Sequence, residues 1–169
     1  VGVDGVTWDQ YQVRLDDNVQ ALHERMKAGR YRHQPIRRVH IPKGPGKTRP
    51  IGISTVEDKV VQTALCLVLE AIYEQEFLDC SYGFRPGRSA HQAVAAVQQY
   101  MTEGLRWVVD LDLEKFFDRV NHDRLMSRLE QRIAARRVLL LIRQMLRARV
   151  VLPDGVVVAN ERGTPQKGP

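Results

Sequence analysis

Leu15, Val19, Leu22 and Met26 recur at the spacing of one helix face, and Thr7 with Gln10 has the form of a capping box. A helix is predicted from about Trp8 to Ala28, closed by Gly29. From Ile36 to Ile53 the period changes to two. Val39 and Ile41 alternate with Arg38 and His40, and Ile51 and Ile53 alternate beyond the turn Gly44-Pro45-Gly46, which predicts a hairpin. Thr55 with Asp58 can cap the next helix, whose Val61, Leu65, Val68, Leu69 and Ile72 lie on one side and mark it as a core helix. Residues 81–89 read as a loop by their Gly and Pro content, with Ser89 capping a helix through Tyr100. A strand is expected at about Arg106 to Leu113, then helices at about His122 to Arg132 and Ala135 to Ala148, the second with Leu139, Ile142 and Leu146 inward. Val150 to Leu152 and Val156 to Val158, joined by Pro153-Asp154-Gly155, form a second hairpin.

Composition adds little until charge is located. The chain has 169 residues, 43% of them hydrophobic, which suits one folded domain with a core and shows no repeat or linker. No apolar run approaches the roughly 20 residues of a membrane span, and Val1 to Trp8 lack a signal-peptide pattern, so a cytoplasmic protein is expected. Cys66 and Cys80 have no CxxC or His-rich neighbourhood, so buried or incidental thiols are expected rather than metal ligands. The net charge of +6 is concentrated: Arg25 to Val56 holds nine Lys/Arg and no acid, and Gln131 to Pro153 holds six Arg and no acid. Solvated basic surface fits one such run; two runs with motifs inside them favour nucleic acid.

Gly46-Lys47-Thr48 resembles the end of a P-loop, but Ile41 stands where that motif needs glycine and Pro50 where it needs a helix. What remains is a hairpin presenting Arg37, Lys43 and Arg49, which suits a triphosphate or phosphodiester and equally suits exposed lysines that block edge aggregation. The acidic stretch is sharper. If residues 106–113 form a strand, Val109, Leu111 and Leu113 face the core while Asp110 and Asp112 share the other face. Two adjacent carboxylates repel, and a divalent cation is a natural compensation, although two solvated carboxylates at a sheet edge fit the pattern too.

The blocks GVDGVT (2–7), RRVHIPKGPGKTRPIGI (37–53), SYGFRPGRSAH (81–91), VVDLDLEKFFDRVNHD (108–123) and GTPQ (163–166) together resemble group II intron reverse transcriptase/maturases, in the same order over nearly the whole chain. Related bacterial reverse transcriptases, CRISPR-associated ones included, share these blocks. The resemblance implies an α+β fold: right-hand polymerase fingers with an N-terminal helix over residues 1–105, and the first half of a palm over 106–169. Such a fold is mostly helical, with short antiparallel strands and hairpins.

The same resemblance implies residue roles. Asp112, five positions before Phe117, matches the first metal-binding aspartate, with the Leu113 carbonyl as a backbone ligand of Mg2+ and Asp110 a weaker candidate. Phe117 matches the residue that crowds a ribose 2′-OH, with a plain core phenylalanine as the alternative, and Phe116 is expected in the core. Arg37, Lys43, Arg49 and Gln166 match nucleotide-binding positions; Arg38, Arg85 and Arg88 are expected on RNA, although Gly-Phe-Arg-Pro-Gly could equally be a structural turn. Implied partners are group II intron RNA or another RNA template, a DNA primer and a dNTP. A homodimer through an open palm edge is also expected, with no membrane. The implied reaction is two-metal nucleotidyl transfer, for which the family uses an Asp-Asp turn absent from this sequence, so the chain is expected to be truncated and inactive alone. A maturase-type RNA-binding module or an inactive remnant are the alternatives. Lys167 departs from the family's usual glycine.

Overall fold

The computed structural model describes residues 1–164; Gln166 and Lys167 lie outside them. The chain divides into two compact units, residues 66–114 and the remainder. The larger unit holds helices α1 (Trp8–Gln12) and α2 (Leu15–Lys27), strands β1 (Ile36–Gly44) and β2 (Lys47–Ile53), and the first half of α3 (Val56–Tyr73). It continues with α5 (Phe116–Arg119), α6 (His122–Glu130), α7 (Arg136–Leu146), β3 (Val150–Val151) and β4 (Val157–Val158). The smaller unit holds the rest of α3 and α4 (Ala90–Thr102). The chain's mixture of helices and one small sheet is the α+β class expected.

Both predicted hairpins form, and they join into one sheet of order β2-β1-β3-β4. The β1–β2 and β3–β4 pairs are antiparallel, while β1 and β3 run parallel through Ile36↔Val150 and Arg37↔Val151. That parallel pair is local: the Ile36 amide donates to the Arg149 carbonyl at 2.7 Å, stitching the end of α7 to the start of the first hairpin.

The predicted N-terminal helix is two helices. Thr7 and Gln10 do form the capping box, but the backbone leaves helical geometry at Arg14 (φ −127°, ψ 48°). The Asn18 side-chain amide donates to the Tyr11 carbonyl at 2.9 Å, serving a carbonyl that α1 leaves unpaired. Asp16 and Asp17 in the first turn of α2 favour a new N-terminus there. Gly29 (φ 69°) ends α2 as predicted. Its amide donates to the Met26 carbonyl and that of Arg30 to the Arg25 carbonyl, the paired bonds of a Schellman motif.

Apolar packing centres on Leu22, Tyr31 and Val61, with Met26, Val60, Leu141 and Met145 against them. Each fully buried large side chain of this kind contributes about 1.5–3 kcal/mol. Beside this cluster lies a polar centre. Asp58 is 1% exposed and accepts from the Tyr31 hydroxyl at 2.6 Å, the Thr55 hydroxyl at 2.7 Å and the Gln34 amide at 3.2 Å. The Asp58 amide in turn donates to Thr55 Oγ1, completing the helix cap read from the sequence. His33 packs beside the carboxylate at 3.8 Å. Its Nδ1 donates to the Gln34 carbonyl at 2.7 Å and its Nε2 accepts from the Gln62 amide at 3.0 Å, which assigns the ring proton to Nδ1. Gly2 completes the arrangement: a Cβ there would lie 2.7 Å from the Thr55 Cα, so only glycine lets the N-terminal segment rest on this turn.

Two expectations fail, one in the smaller unit and one along α3. Residues 105–113 form no strand, and Val109, Leu111 and Leu113, expected in a core, are 81%, 88% and 69% exposed. A strand needs a ladder partner for its backbone and a cover for its apolar face, and no described residue pairs with this segment. The core helix α3 is such only in its first half, where Asp58 and Val61 are buried; Val68 is 49% exposed. Of the two alternatives for Cys66 and Cys80, buried or incidental thiols, free and exposed cysteines fit the second. Among the described residues no helix is long and apolar enough to cross a membrane.

Replacing Asp58 with Ala strips the acceptor from two buried hydroxyl donors, each costing about 1–3 kcal/mol when left unpaired, and from the part-buried Gln34 amide. Urea unfolding is expected to show a loss of roughly 4 kcal/mol for Asp58→Ala and roughly 1 kcal/mol for Tyr31→Phe. Burial, then the bond to Asp58, raises the Tyr31 phenol well above its ordinary value. A raised folded value stabilises the fold below the ordinary tyrosine pKa of about 10 and loses that stabilisation as pH climbs beyond it. Stability should therefore fall above about pH 10, and fall less steeply in Tyr31→Phe.

Candidate nucleic-acid and nucleotide site

The register Arg37↔Ile53, Val39↔Ile51, Ile41↔Arg49 puts Arg37 and Arg49 on one face of the first hairpin. They stand four residues apart along the ribbon, about 13 Å, so they form a row rather than a single cluster. The register shifts between Pro42 and Gly44, which takes Lys43 out of the strand alternation. Between the two arginines, Val39, Ile41, Ile51 and Ile53 join Lys59 and Gln62 of α3 in lining an open groove of about 530 Å³. Sequence reasoning missed Lys59, whose only signal was its place one turn into a capped helix.

Arg38 lies on the opposite face of β1. It and Arg37 are half-buried, and the Nε of each is enclosed without an acceptor. A guanidinium N–H left without a partner inside a protein is costly, and an oxyanion is its natural complement. Where the larger unit has carboxylates near basic groups, they pair: Glu57 binds Arg25, and that bond raises the Arg25 pKa above its ordinary value.

Phe117 sits in α5, a single turn entered through Lys115 in the left-handed conformation (φ 51°). The first two residues of the GTPQ block, Gly163 and Thr164, lie directly against it. The Gly163 amide donates to the Val120 carbonyl at 2.9 Å and the Thr164 amide to the Phe117 carbonyl at 2.8 Å. His122 Nε2 donates to the Gly163 carbonyl at 2.7 Å from a buried position. The structure thus brings together Phe117 and the start of the block that contains Gln166, though Gln166 itself lies outside the described residues. Phe116, expected in the core, is 53% exposed and meets Phe117 edge to face, because the one-turn α5 leaves both rings more than half open.

Asp110 and Asp112 are exposed, on the unpaired segment of the smaller unit. Among the described residues there is no group of three or more His, Cys, Asp or Glu side chains able to hold a metal. Mg2+ demands six oxygens in near-octahedral order, so Asp110, Asp112 and the Leu113 carbonyl do not by themselves fit it.

In the smaller unit Arg85 turns inward. Its side chain is 6% exposed; Nε and Nη2 donate to Glu74, and Nη1 to the carbonyls of Leu78 (2.7 Å) and Ser81 (2.9 Å). It stacks on Phe77. The expected phosphate ligand is here the internal brace of a structural turn. Arg88 pairs with Asp79 at 3.1 Å and lies over Tyr82, keeping partial exposure. The brace leaves Phe84 fully exposed at φ 56°, an aromatic in a conformation that side chains rarely adopt.

Gly163 has both a left-handed φ of 74° and no room: a Cβ would lie 2.7 Å from the carbonyl oxygens of Phe117 and Asp118. Gly155 (φ 85°) has open space around it. Thermal unfolding should show Gly163→Ala costing roughly 3 kcal/mol and Gly155→Ala roughly 1 kcal/mol. Equal losses would mean that the Phe117–Gly163 contact is not tight.

Comparison with known proteins places these blocks in context. The family described as reverse transcriptase (RNA-dependent DNA polymerase) matches residues 41–167. Protein YkfC of Escherichia coli is 39% identical over 99% of this chain and 45% of its own length. The group II intron-encoded protein LtrA of Lactococcus lactis is 36% identical over 90% of this chain and 25% of its own. The chain thus spans less than half the length of these relatives. Among solved structures, a chain of a partial Cas6-RT-Cas1–Cas2 complex superposes with a TM-score of 0.54 at 24% identity, covering 91% of this chain and 27% of that one, a likeness of fold. With a matched region running from the first hairpin through the Phe117–Gly163 contact, the chain belongs to the reverse transcriptase family, alongside relatives encoded by group II introns.

Proposed function

We propose that this chain supplies the fingers (residues 1–105) and the opening of the palm (residues 106–169) of an RNA-directed DNA polymerase of group II intron type, acting in the cytoplasm. The observation that carries this reading is the pair Arg37 and Arg38. They are half-buried on a strand held from both sides, each Nε lacks an acceptor, and they stand in a stretch with no acid between Arg25 and Val56. A rigid strand with unanswered guanidinium groups favours phosphate. In this reading Arg37, Lys43 and Arg49 face the incoming dNTP, Arg38 and Arg88 face the RNA template, and Phe117 with Gln166 borders the nucleotide beside the DNA primer. Asp112, with the Leu113 carbonyl, supplies part of a Mg2+ site whose other carboxylates this sequence does not contain. Arg85 serves by bracing the loop that carries Arg88.

A second reading, RNA holding without polymerisation, as in a maturase-type module, is favoured by one observation. The basic hairpin belongs to the packed larger unit, whereas Asp112 lies on a segment with no strand partner.

Binding of a structured RNA to this chain should weaken steeply with salt, and Arg37→Glu/Arg38→Glu should flatten the slope of log affinity against log salt by about 2. An affinity indifferent to salt, or a slope unchanged by the double reversal, contradicts the phosphate reading. To separate the two readings, Asp112→Ala in a chain extended to the length of its relatives should abolish primer extension and leave RNA affinity within about twofold. Extension that survives the substitution removes Asp112 from the active site.

A further inference from the structure

One backbone carbonyl in the larger unit collects two side-chain donors from separate parts of the chain. The Gly163 carbonyl accepts from His122 Nε2 at 2.7 Å and from the Asn160 side-chain amide at 3.3 Å. Donation to a carbonyl puts a His122 proton on Nε2, and the ring is buried at the first residue of α6. Asn160 also donates to the Leu146 carbonyl at 2.7 Å, which ties the same point to the last residue of α7. On the other side, the Gly163 and Thr164 amides donate to the carbonyls of Val120, just past the end of α5, and of Phe117, within its single turn. A helix of four residues does not hold itself in place. Its position is set by these bonds, and theirs by whatever fixes Gly163. That residue has no side chain to pack and the freest of backbones, so the fixing falls to His122 and Asn160.

We infer that His122 is a positioning residue for sugar selection. With Asn160 it fixes the Gly163 carbonyl, and through the bonds from Gly163 and Thr164 to α5 it sets where the Phe117 ring stands against the ribose of an incoming nucleotide. The inference rests on the proposed function, in which Phe117 borders the nucleotide, and adds to it a buried residue that acts only through others. Packing alone would accept an apolar side chain at position 122; the short bond to the Gly163 carbonyl requires a donor at the reach of Nε2. Exclusion of a hydroxyl by a ring is a matter of fractions of an ångström, because repulsion between atoms is steep. A looser α5 leaves room for a 2′-OH, so discrimination is lost before dNTP binding is.

The test uses the chain extended to the length of its relatives and compares kcat/KM for a dNTP with that for the matching rNTP. His122→Leu should lower the dNTP preference about tenfold. The glutamine amide reaches as far from the backbone as Nε2, the asparagine amide only as far as Nδ1, so His122→Gln should keep the preference within about threefold of the starting value and His122→Asn should not. A partly unfolded enzyme loses activity toward both nucleotides alike, so the ratio reports position and not stability. Asn160→Ala leaves the His122 donor in place and should lower the preference about threefold, which carries the test should His122→Leu not fold. Phe117→Ala, which removes the ring itself, should lower it about a hundredfold. A preference unmoved by Phe117→Ala, or an unsubstituted chain that extends no primer, overturns the reading of the site and this inference with it. A preference lowered by Phe117→Ala yet unmoved by His122→Leu, or by Asn160→Ala where His122→Leu does not fold, overturns the inference alone. So does a His122→Gln chain no more selective than His122→Asn.

Discussion

A carboxylate with almost no exposed surface must be surrounded by donors, and the larger unit is arranged so that Asp58 is. Its three donors come from places the sequence keeps apart: Tyr31 and Gln34 from the segment after α2, and Thr55 from the turn before α3. Satisfying them fixes where the chain enters β1 at Ile36 and where it leaves β2 at Ile53. The first hairpin is therefore held at both ends by one buried charge. Arg25–Glu57 ties α2 to α3 beside it, and the apolar contacts of Leu22, Tyr31 and Val61 fill the remaining space. The phosphate-binding proposal asks for arginines held rigid on the hairpin, and the polar centre supplies that stiffness.

Charge is thus distributed between two settings. The basic residues of β1 and β2 stand on a packed frame, while Asp110 and Asp112 stand on a segment with no strand partner among the described residues. Nucleotidyl transfer needs both at once, and the relatives of this chain are more than twice as long. The part shared with them packs the basic hairpin on a folded frame and leaves the acidic segment without a strand partner among the described residues. Phe117 stands at the join: the turn that holds it is bonded to Gly163 and Thr164, and the glycine is needed because two carbonyls crowd the position its side chain would take.

Much of this was legible in the residues. The capping boxes at Thr7 and Ser89, both hairpins, the helix stop at Gly29 and the inward side of α7 all follow from short-range rules, and the structure shows each of them. The failures have one origin, which is that pattern reports what a segment would bury if something covered it. Val109, Leu111 and Val68 have the periodicity of buried positions and find no partner. Conversely, Asp58 read as a cap and is in addition the hub of a buried network, because its partners at Tyr31 and Gln34 are tertiary neighbours. Arg85 read as a ligand for phosphate and is an internal brace, because a lone arginine in a Gly-Pro turn carries no sign of which acceptor it meets. The split between α1 and α2 was hidden for the same reason, since Asn18 reaches back to Tyr11 only once both are in place.

The central claim is that one unit is rigid around Asp58 while the acidic segment is unpaired in the single chain. Backbone hydrogen exchange, followed by mass spectrometry, measures both halves together. The slowest exchange should fall in residues 36–39 and 56–62, with residues 105–113 exchanging near the rate of a free peptide. Slow exchange across 105–113 in the monomer, or fast exchange across 56–62, would contradict the account.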